Sequence, residues 1–449
     1  MFISEITFVN RDNLSKTRPQ VSGLPFYGKA SFLTLPSKKV QNIKAPDKFL
    51  ESVSVKLKQR MDLLLEKFKR LNLKLNINDL AKVYMKDTTL HTYRPERIEY
   101  NVKTIVEKFK NENLTVKDYV KACIKQPSLF HQAPDKAESN VRGLVKIFEK
   151  ENLKIEDYLK ACLRQPQLFY QSPKTIESNI RDFVKSYNND TLTTEKYIKA
   201  CLRQPSLFVQ SPNTIKSRVD GLIKNFNFTE EECLKICLKE AQLFHQSPDT
   251  IKSNVVGVSE IFAKENLKYD DYLKACIKQP SLFYQSPKTI EANIRGLVSI
   301  FEKEKLTTEK YIKAALKSPS LFYSSPATVA EHIRAYMLVE KNKTGKTCNE
   351  ISDSILRKNL AYSTSLIYLK NIVEPQIRKQ YPKIKDIDIP TLKNKLKYIF
   401  EQNPEMQFEV KVIEDEFTDN FIKVMQEFAE KDLKVPNAFK IKVVPFEQL

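Results

Sequence analysis

A hexapeptide recurs along the chain. It reads LFHQAP up to Pro134, then LFYQSP, LFVQSP, LFHQSP, LFYQSP and LFYSSP up to Pro173, Pro212, Pro248, Pro287 and Pro326. A divergent earlier copy, LHTYRP, ends at Pro95. The prolines are 39, 39, 39, 36, 39 and 39 residues apart, which makes seven units. A fixed period of this size implies a stacked array, because one such unit cannot bury its apolar face alone and must do so against its neighbours. Arrays of this kind present long regular surfaces.

One unit, Ser286 to Phe322, shows how the period is filled. Ser286 followed by Pro287 is a helix start, with serine as cap and proline at the first helical position. Ile290, Ile294, Leu297, Val298 and Phe301 follow at helical spacing, predicting a first helix of about four turns. Thr307 or Thr308 caps a second helix, as Thr115 with Asp118 and Thr229 with Glu232 do elsewhere in the manner of capping boxes. That helix must stop before Pro319, which lacks an amide proton. Leu321 and Phe322 then form an apolar plug. The three residues missing from the 36-residue unit fall between its helices, so both helices keep register. Gly143, Gly221, Gly257 and Gly296 share one first-helix position, where a missing side chain permits close packing.

The expected fold is therefore all-α: a right-handed helical-repeat solenoid of seven to eight helix pairs with a small C-terminal α+β tail. Residues 1–45 read as a partly disordered extension, 46–78 as a helical cap, 79–340 as repeats, 341–380 as a degenerate capping repeat and 381–449 as the tail. Continuing the register past Phe322 places a decayed plug at Asn359–Ser363. In the tail, MQFEVKVI (406–413) and AFKIKVVPF (438–446) alternate like strands, with a helix over 415–431 between them.

Cys123, Cys162, Cys201, Cys237 and Cys276 occupy one repeat position that Ala315 takes in the next unit. Exchange with alanine marks a small buried site rather than a disulfide framework, and no CxxC pair offers zinc ligands. Free thiols imply a reducing intracellular compartment, cytoplasmic or organellar. Residues 1–50 hold eight Lys/Arg against three Asp/Glu, without an evident signal-peptide core. No apolar run approaches the roughly 20 residues needed to cross a bilayer.

The net charge is +20, and residues 380–449 carry 11 Lys/Arg against 13 Asp/Glu, so the basic excess lies before them. In the second helices Lys82, Lys121, Lys160, Lys199, Lys235, Lys274 and Lys313 are equivalent. Four residues on stand Lys86, Lys125, Arg164, Arg203, Lys239, Lys278 and Lys317. An i, i+4 pair shares a helix face, so stacking would set out two rails of cations suited to a phosphate chain. A third column, Arg142, Arg181, Arg295 and Arg334 with Lys103, lies on the first helices and is broken by Asp220 and Val256. Beside it runs a column of asparagines, which either read base edges or satisfy backbone groups between units.

Residues flanking the Ser-Pro turn vary as pairs: His131/Asp135, Tyr170/Lys174, Val209/Asn213, His245/Asp249, Tyr284/Lys288 and Tyr323/Ala327. Variation on a constant frame is what a one-unit-per-base reader would show. A block duplication explains it as well, since the His/Asp and Tyr/Lys pairs recur 114 residues apart.

Enzyme signals are weak. Glu409-Val410-Lys411 with Asp386 or Asp388 distantly resembles a metal-dependent nuclease core, but a solvated strand face explains the triplet. No catalytic residue, metal ligand or cofactor motif is expected.

The Thr-capped helix ending in KACLRQPQLF and followed by a Ser-Pro helix resembles the mitochondrial transcription termination factor (mTERF) family over about residues 75–378. There a proline precedes paired leucines, much as Pro166 precedes Leu168 and Phe169 here. The resemblance implies a helical solenoid whose basic side grips nucleic acid, usually duplex DNA. Bacterial TALE-like repeat proteins are a second likeness, through variable residues at an inter-helix turn. The chain differs from the first family in its longer, more uniform unit, and from the second in lacking a glycine-rich turn. The expected function is nucleic-acid binding by a monomer, DNA before RNA, without membrane attachment. The alternative is a protein-interaction solenoid, an effector or scaffold that docks an acidic partner.

Overall fold

The computed structural model describes residues 45–187, 189–347, 349–356, 358 and 362–449. The N-terminal extension expected over 1–45 lies almost wholly outside the described residues, and so do Asn359, Leu360 and Ala361 of the expected decayed plug. The chain divides into two compact parts, up to Asn101 and from Val102 onward.

In the first part the helices Pro46–Ser52 and Val55–Arg70 form the expected cap, the second of them started by the Ser54 hydroxyl accepting from Leu57 N. Helix Ile77–Lys86 opens on a complete capping box between Asn76 and Asp79.

From Val102 on, each unit repeats one pattern: a proline-started first helix, a ten-residue second helix and a short 3-10 turn. One unit runs Pro134–Ile147, Ile155–Arg164 and Pro166–Phe169. Another runs Pro287–Ile300, Thr308–Lys317 and Pro319–Phe322. The caps follow the sequence. Ser286 accepts from Thr289 N, Thr307 rather than Thr308 caps its helix, and Thr229 with Glu232 completes a capping box. Thr115 makes only half of one: its hydroxyl accepts from Asp118 N and donates to the Asp118 carboxylate.

The loop between helices carries a left-handed residue in five units, Asn113, Asn152, Asn227, Asn266 or Lys305, with φ from 54 to 62°. Asparagine tolerates that conformation better than other side chains. In two of the long loops a three-residue 3-10 turn, Glu149–Glu151 or Ala263–Glu265, precedes it. In the short unit helix Pro212–Phe226 runs directly into Asn227, so the three missing residues are that turn.

The core lies along the array. The cysteine column is fully buried and free of disulfides. Burial pushes the Cys162 and Cys201 thiols well above the ordinary range, which removes them as nucleophiles. One turn earlier stand Tyr119, Tyr158, Tyr197 and Tyr272, each edge-on to the plug phenylalanine of the next unit at 5.2–5.6 Å. In the short unit Cys233 takes the tyrosine's place, and Phe226 and Phe228 fill the space against Phe283 at 5.4 and 6.4 Å. The four glycines face the proline that starts the next unit. A Cβ at Gly143, Gly221, Gly257 or Gly296 would stand 2.7–3.3 Å from that ring's Cγ. The glycine is therefore a packing requirement between units.

The last repeat helix, Pro326–Thr344, ends at Gly345 with φ 72°. A bent helix follows from Thr364 to Gln380, through a π-helical turn at Leu369–Val373. It closes like a repeat, with Tyr381 as cap and a 3-10 turn at Pro382–Asp386. The tail holds two parallel strands, β1 (Phe408–Ile413) and β2 (Phe439–Val444), paired from Phe408↔Phe439 to Ile413↔Val444. Helix Thr418–Phe428 connects them. The free edge of β1 is covered by side-chain amides: Gln376 bonds both N and O of Lys411, and Gln380 donates to Glu409 O. That disposes of an exposed strand edge.

Candidate nucleic-acid interface

The three basic columns occupy three different environments. Lys121, Lys160, Lys199, Lys235, Lys274 and Lys313 are exposed on the second helices. Five of them meet a carboxylate one turn back on their own helix: Asp157 at 3.6 Å, Glu195 at 2.8 Å, Glu231 at 2.5 Å, Asp271 at 3.9 Å and Glu309 at 2.8 Å. The Glu195 and Glu309 carboxyls are held below the ordinary range, each chiefly by a hydrogen bond from its lysine. Such exposed same-helix pairs are weak. Lys82, in the first part, is likewise exposed.

The second column reaches across to the next unit. The Arg164 guanidinium donates to the carbonyls of Leu202 and Arg203, and Arg203 donates to Leu238 O. Lys239 Nζ donates to Lys278 O at 2.6 Å, and Lys278 Nζ to Lys317 O at 2.8 Å. These carbonyls end the neighbouring second helix, where backbone acceptors lack partners and the helix dipole favours a cation. At these four positions the basic residue caps the neighbouring unit. Lys125 and Lys317 are exposed members of the same column, and Lys86 is its member in the first part.

The third column forms the seams between units. Arg142 pairs with Glu112 of the preceding unit (2.9 Å) and Glu138 of its own helix (3.0 Å), and lies 5.0 Å from the centre of the Phe109 ring. Arg181 repeats this with Glu151, Glu177 and Phe148, and Arg295 with Glu265, Glu291 and Phe262. Arg334 lies over Phe301. The two breaks in the column are matched exchanges. Opposite Asp220 the phenylalanine becomes Tyr187, whose hydroxyl donates to that carboxylate at 2.9 Å. Val256 follows the short unit, whose loop lacks the turn that elsewhere supplies the glutamate. Arg142, Arg181, Arg295 and Arg334, expected at phosphates, are thus clamped between units. The asparagine column is structural as well: Asn140 donates to Phe169 O and Asn254 to Phe283 O, the plug carbonyls of the next unit.

The two members of each turn pair lie in different environments. His131, Tyr170, Val209, His245, Tyr284 and Tyr323 are half-buried after the plug, whereas Asp135, Lys174, Asn213, Asp249, Lys288 and Ala327 are exposed in the first turn of the following helix. Asp135 turns back to Lys108 at 2.9 Å, and Asp249 accepts from Asn225. The half-buried members face the end of the preceding second helix, where Gln279 Nε2 donates to the Tyr323 hydroxyl at 3.1 Å. His245 contacts Gln210, and burial, aided by the Arg218 charge, holds its imidazole below the ordinary range.

Sequence reasoning missed the residues capping the second helices: Gln126, Gln165, Gln204, Glu240, Gln279 and Ser318, all with φ near −125° and ψ of 81–90°. An unbroken polar column ahead of the plug was the signal. A cavity of about 210 Å³ opens on it, lined by Arg203, Gln204, Glu240, Ala241, Gln242 and Tyr284. The cavity joins a second-column cation, two caps and a turn residue from three successive units.

In the tail Glu409 pairs with Lys442 at 2.6 Å, and Lys411 Nζ donates to Gln448 O. Among the described residues no group of three His, Cys, Asp or Glu is placed to hold a metal ion, and no helix is long and apolar enough to cross a membrane. No known family model matches the chain, and comparison with curated proteins gives no match.

Proposed function

We propose that the repeats bind nucleic acid, with the outward lysine of each second helix holding the phosphates. The observation that carries this reading is the first column. It is lysine in all seven units, it is exposed, and among the described residues it makes no hydrogen bond to a neighbouring unit that would account for its recurrence. The second and third columns have architectural duties, so their recurrence needs no ligand. The basic excess ahead of residue 380 adds an attractive field for a polyanion. DNA is the ligand to which the resemblance to the mTERF family points. No catalytic step is part of this reading.

The test is equilibrium binding of a mixed-sequence DNA oligonucleotide at physiological salt, with poly-glutamate as competitor. Sequence-independent binding in the range of about 10⁻⁴–10⁻⁶ M, resistant to equimolar poly-glutamate, is expected. Capture of poly-glutamate with no measurable nucleic-acid binding would replace this reading with an acidic protein partner.

A further inference from the structure

We infer that the crevice at Glu240, between successive second helices, takes one unpaired nucleobase that presents an amino donor, cytosine first. The inference rests on the nucleic-acid reading above and names the form of its ligand.

The Glu240 crevice is where the repeat departs from itself at two adjacent positions. Elsewhere the cap is Gln or Ser and the plug begins with proline: Gln126-Pro127, Gln165-Pro166, Gln204-Pro205, Gln279-Pro280 and Ser318-Pro319. Here the pair is Glu240-Ala241. Ala241 is buried, and its methyl replaces a ring, which leaves room for the 210 Å³ cavity beneath Tyr284. Ligand pockets for drug-sized molecules run to about 300–1,000 Å³, so this volume suits a single heterocycle. Base pairing would keep such a group out of the crevice, which selects a single strand.

The lining supplies what a splayed base needs. The Tyr284 ring is half-buried and offers a flat apolar face. The Arg203 guanidinium, tethered to Leu238 O, offers a second planar surface already fixed in place. Glu240 stands at the edge of the cavity as an acceptor without donors, and a carboxylate accepts from the cytosine amino group. Proximity of Glu240 and Tyr284 is also felt electrostatically: the Tyr284 phenol is raised by burial first and by the Glu240 charge second. In the next crevice Gln279 bonds Tyr323, and an amide that both donates and accepts makes no such selection. The first-column lysines lie on the same second helices, one turn before the cations that border these crevices.

The experiment is selection from a randomised single-stranded DNA pool at low salt, with a duplex pool in parallel, for the full chain, Glu240→Gln and Tyr284→Ala. The expected result is enrichment of cytosine at one position, relaxed roughly 5- to 100-fold in Glu240→Gln while the other positions are unchanged. Tyr284→Ala should weaken single-strand binding by about fivefold or more, and Tyr284→Phe should restore it. If single strands bind but no position responds to Glu240→Gln, the crevice is not a reader and the inference fails while the proposed function stands. Binding of duplex alone has the same consequence. If neither pool binds, both fall.

Discussion

Lys199 and Arg203 stand one turn apart on one helix, and their neighbourhoods differ. Lys199 pairs with Glu195 inside its own helix and points outward, whereas Arg203 reaches the carbonyl that ends the next unit's second helix. Arg142, Arg181 and Arg295 go further, each clamped by carboxylates from two units and laid on a phenylalanine ring. Periodic basic residues therefore arise for two reasons that look alike in sequence. A seam cation is kept because the neighbouring unit needs it, and it disappears where the neighbour changes, as at Asp220 and Val256. The outward lysine changes nowhere, although among the described residues no hydrogen bond to an adjacent unit is made by it.

That contrast can be broken by substitution, beginning in the seam. Gly221→Leu drives a side chain into Pro248, whose Cγ would stand 2.7 Å from the new Cβ, and should cost about 3 kcal/mol in denaturant unfolding. Arg142→Ala leaves Glu112, whose own side chain is only 9% exposed, without its partner. Breaking a fully buried pair costs about 3–5 kcal/mol, and since Arg142 is itself 43% exposed, about 2 kcal/mol is expected. Arg203→Ala removes a neighbour's cap and should cost about 1 kcal/mol. Lys160→Ala should stay within about 0.5 kcal/mol, and a larger loss would make the outward column architectural too. The smallest effect concerns pH. The Glu138 carboxyl is held below its ordinary range chiefly by Lys108, with Arg142 assisting. A lowered folded value means this stabilisation is complete above the unfolded carboxylate range and is lost as pH falls through the folded value. Melting temperature should therefore decline on acidification below about pH 4.5, and less steeply in Glu138→Gln.

Most of the array was legible because its determinants are local. Proline after serine starts the helices, the Gln-Pro step ends them, and small residues at one column mark the core. The glycine column was legible as a close approach, though not what it approaches, since Pro173 lies 30 residues from Gly143. The arginine clamps were misread for the same reason: Glu112 and Arg142, or Glu151 and Arg181, are 30 residues apart and meet only across a seam. The co-variation of Phe148/Arg181 with Tyr187/Asp220 was present in the sequence, but only the stacking identifies those residues as partners. The caps Gln204 and Glu240 went unnoticed because a polar residue before proline reads as a turn until three units are brought together around Tyr284. In the tail the strand and helix pattern was clear, whereas the register and parallel pairing of β1 with β2 emerged only from the fold.

The most direct measurement is the salt dependence of affinity for single-stranded DNA, in the wild-type chain and in a variant with the seven outward lysines changed to glutamine. Seven phosphate contacts on a single strand give a slope of log affinity against log salt of about −5. The variant should fold and melt like the wild type while its slope collapses toward zero. An unchanged slope in the variant, or a flat one in the wild type, would contradict the account.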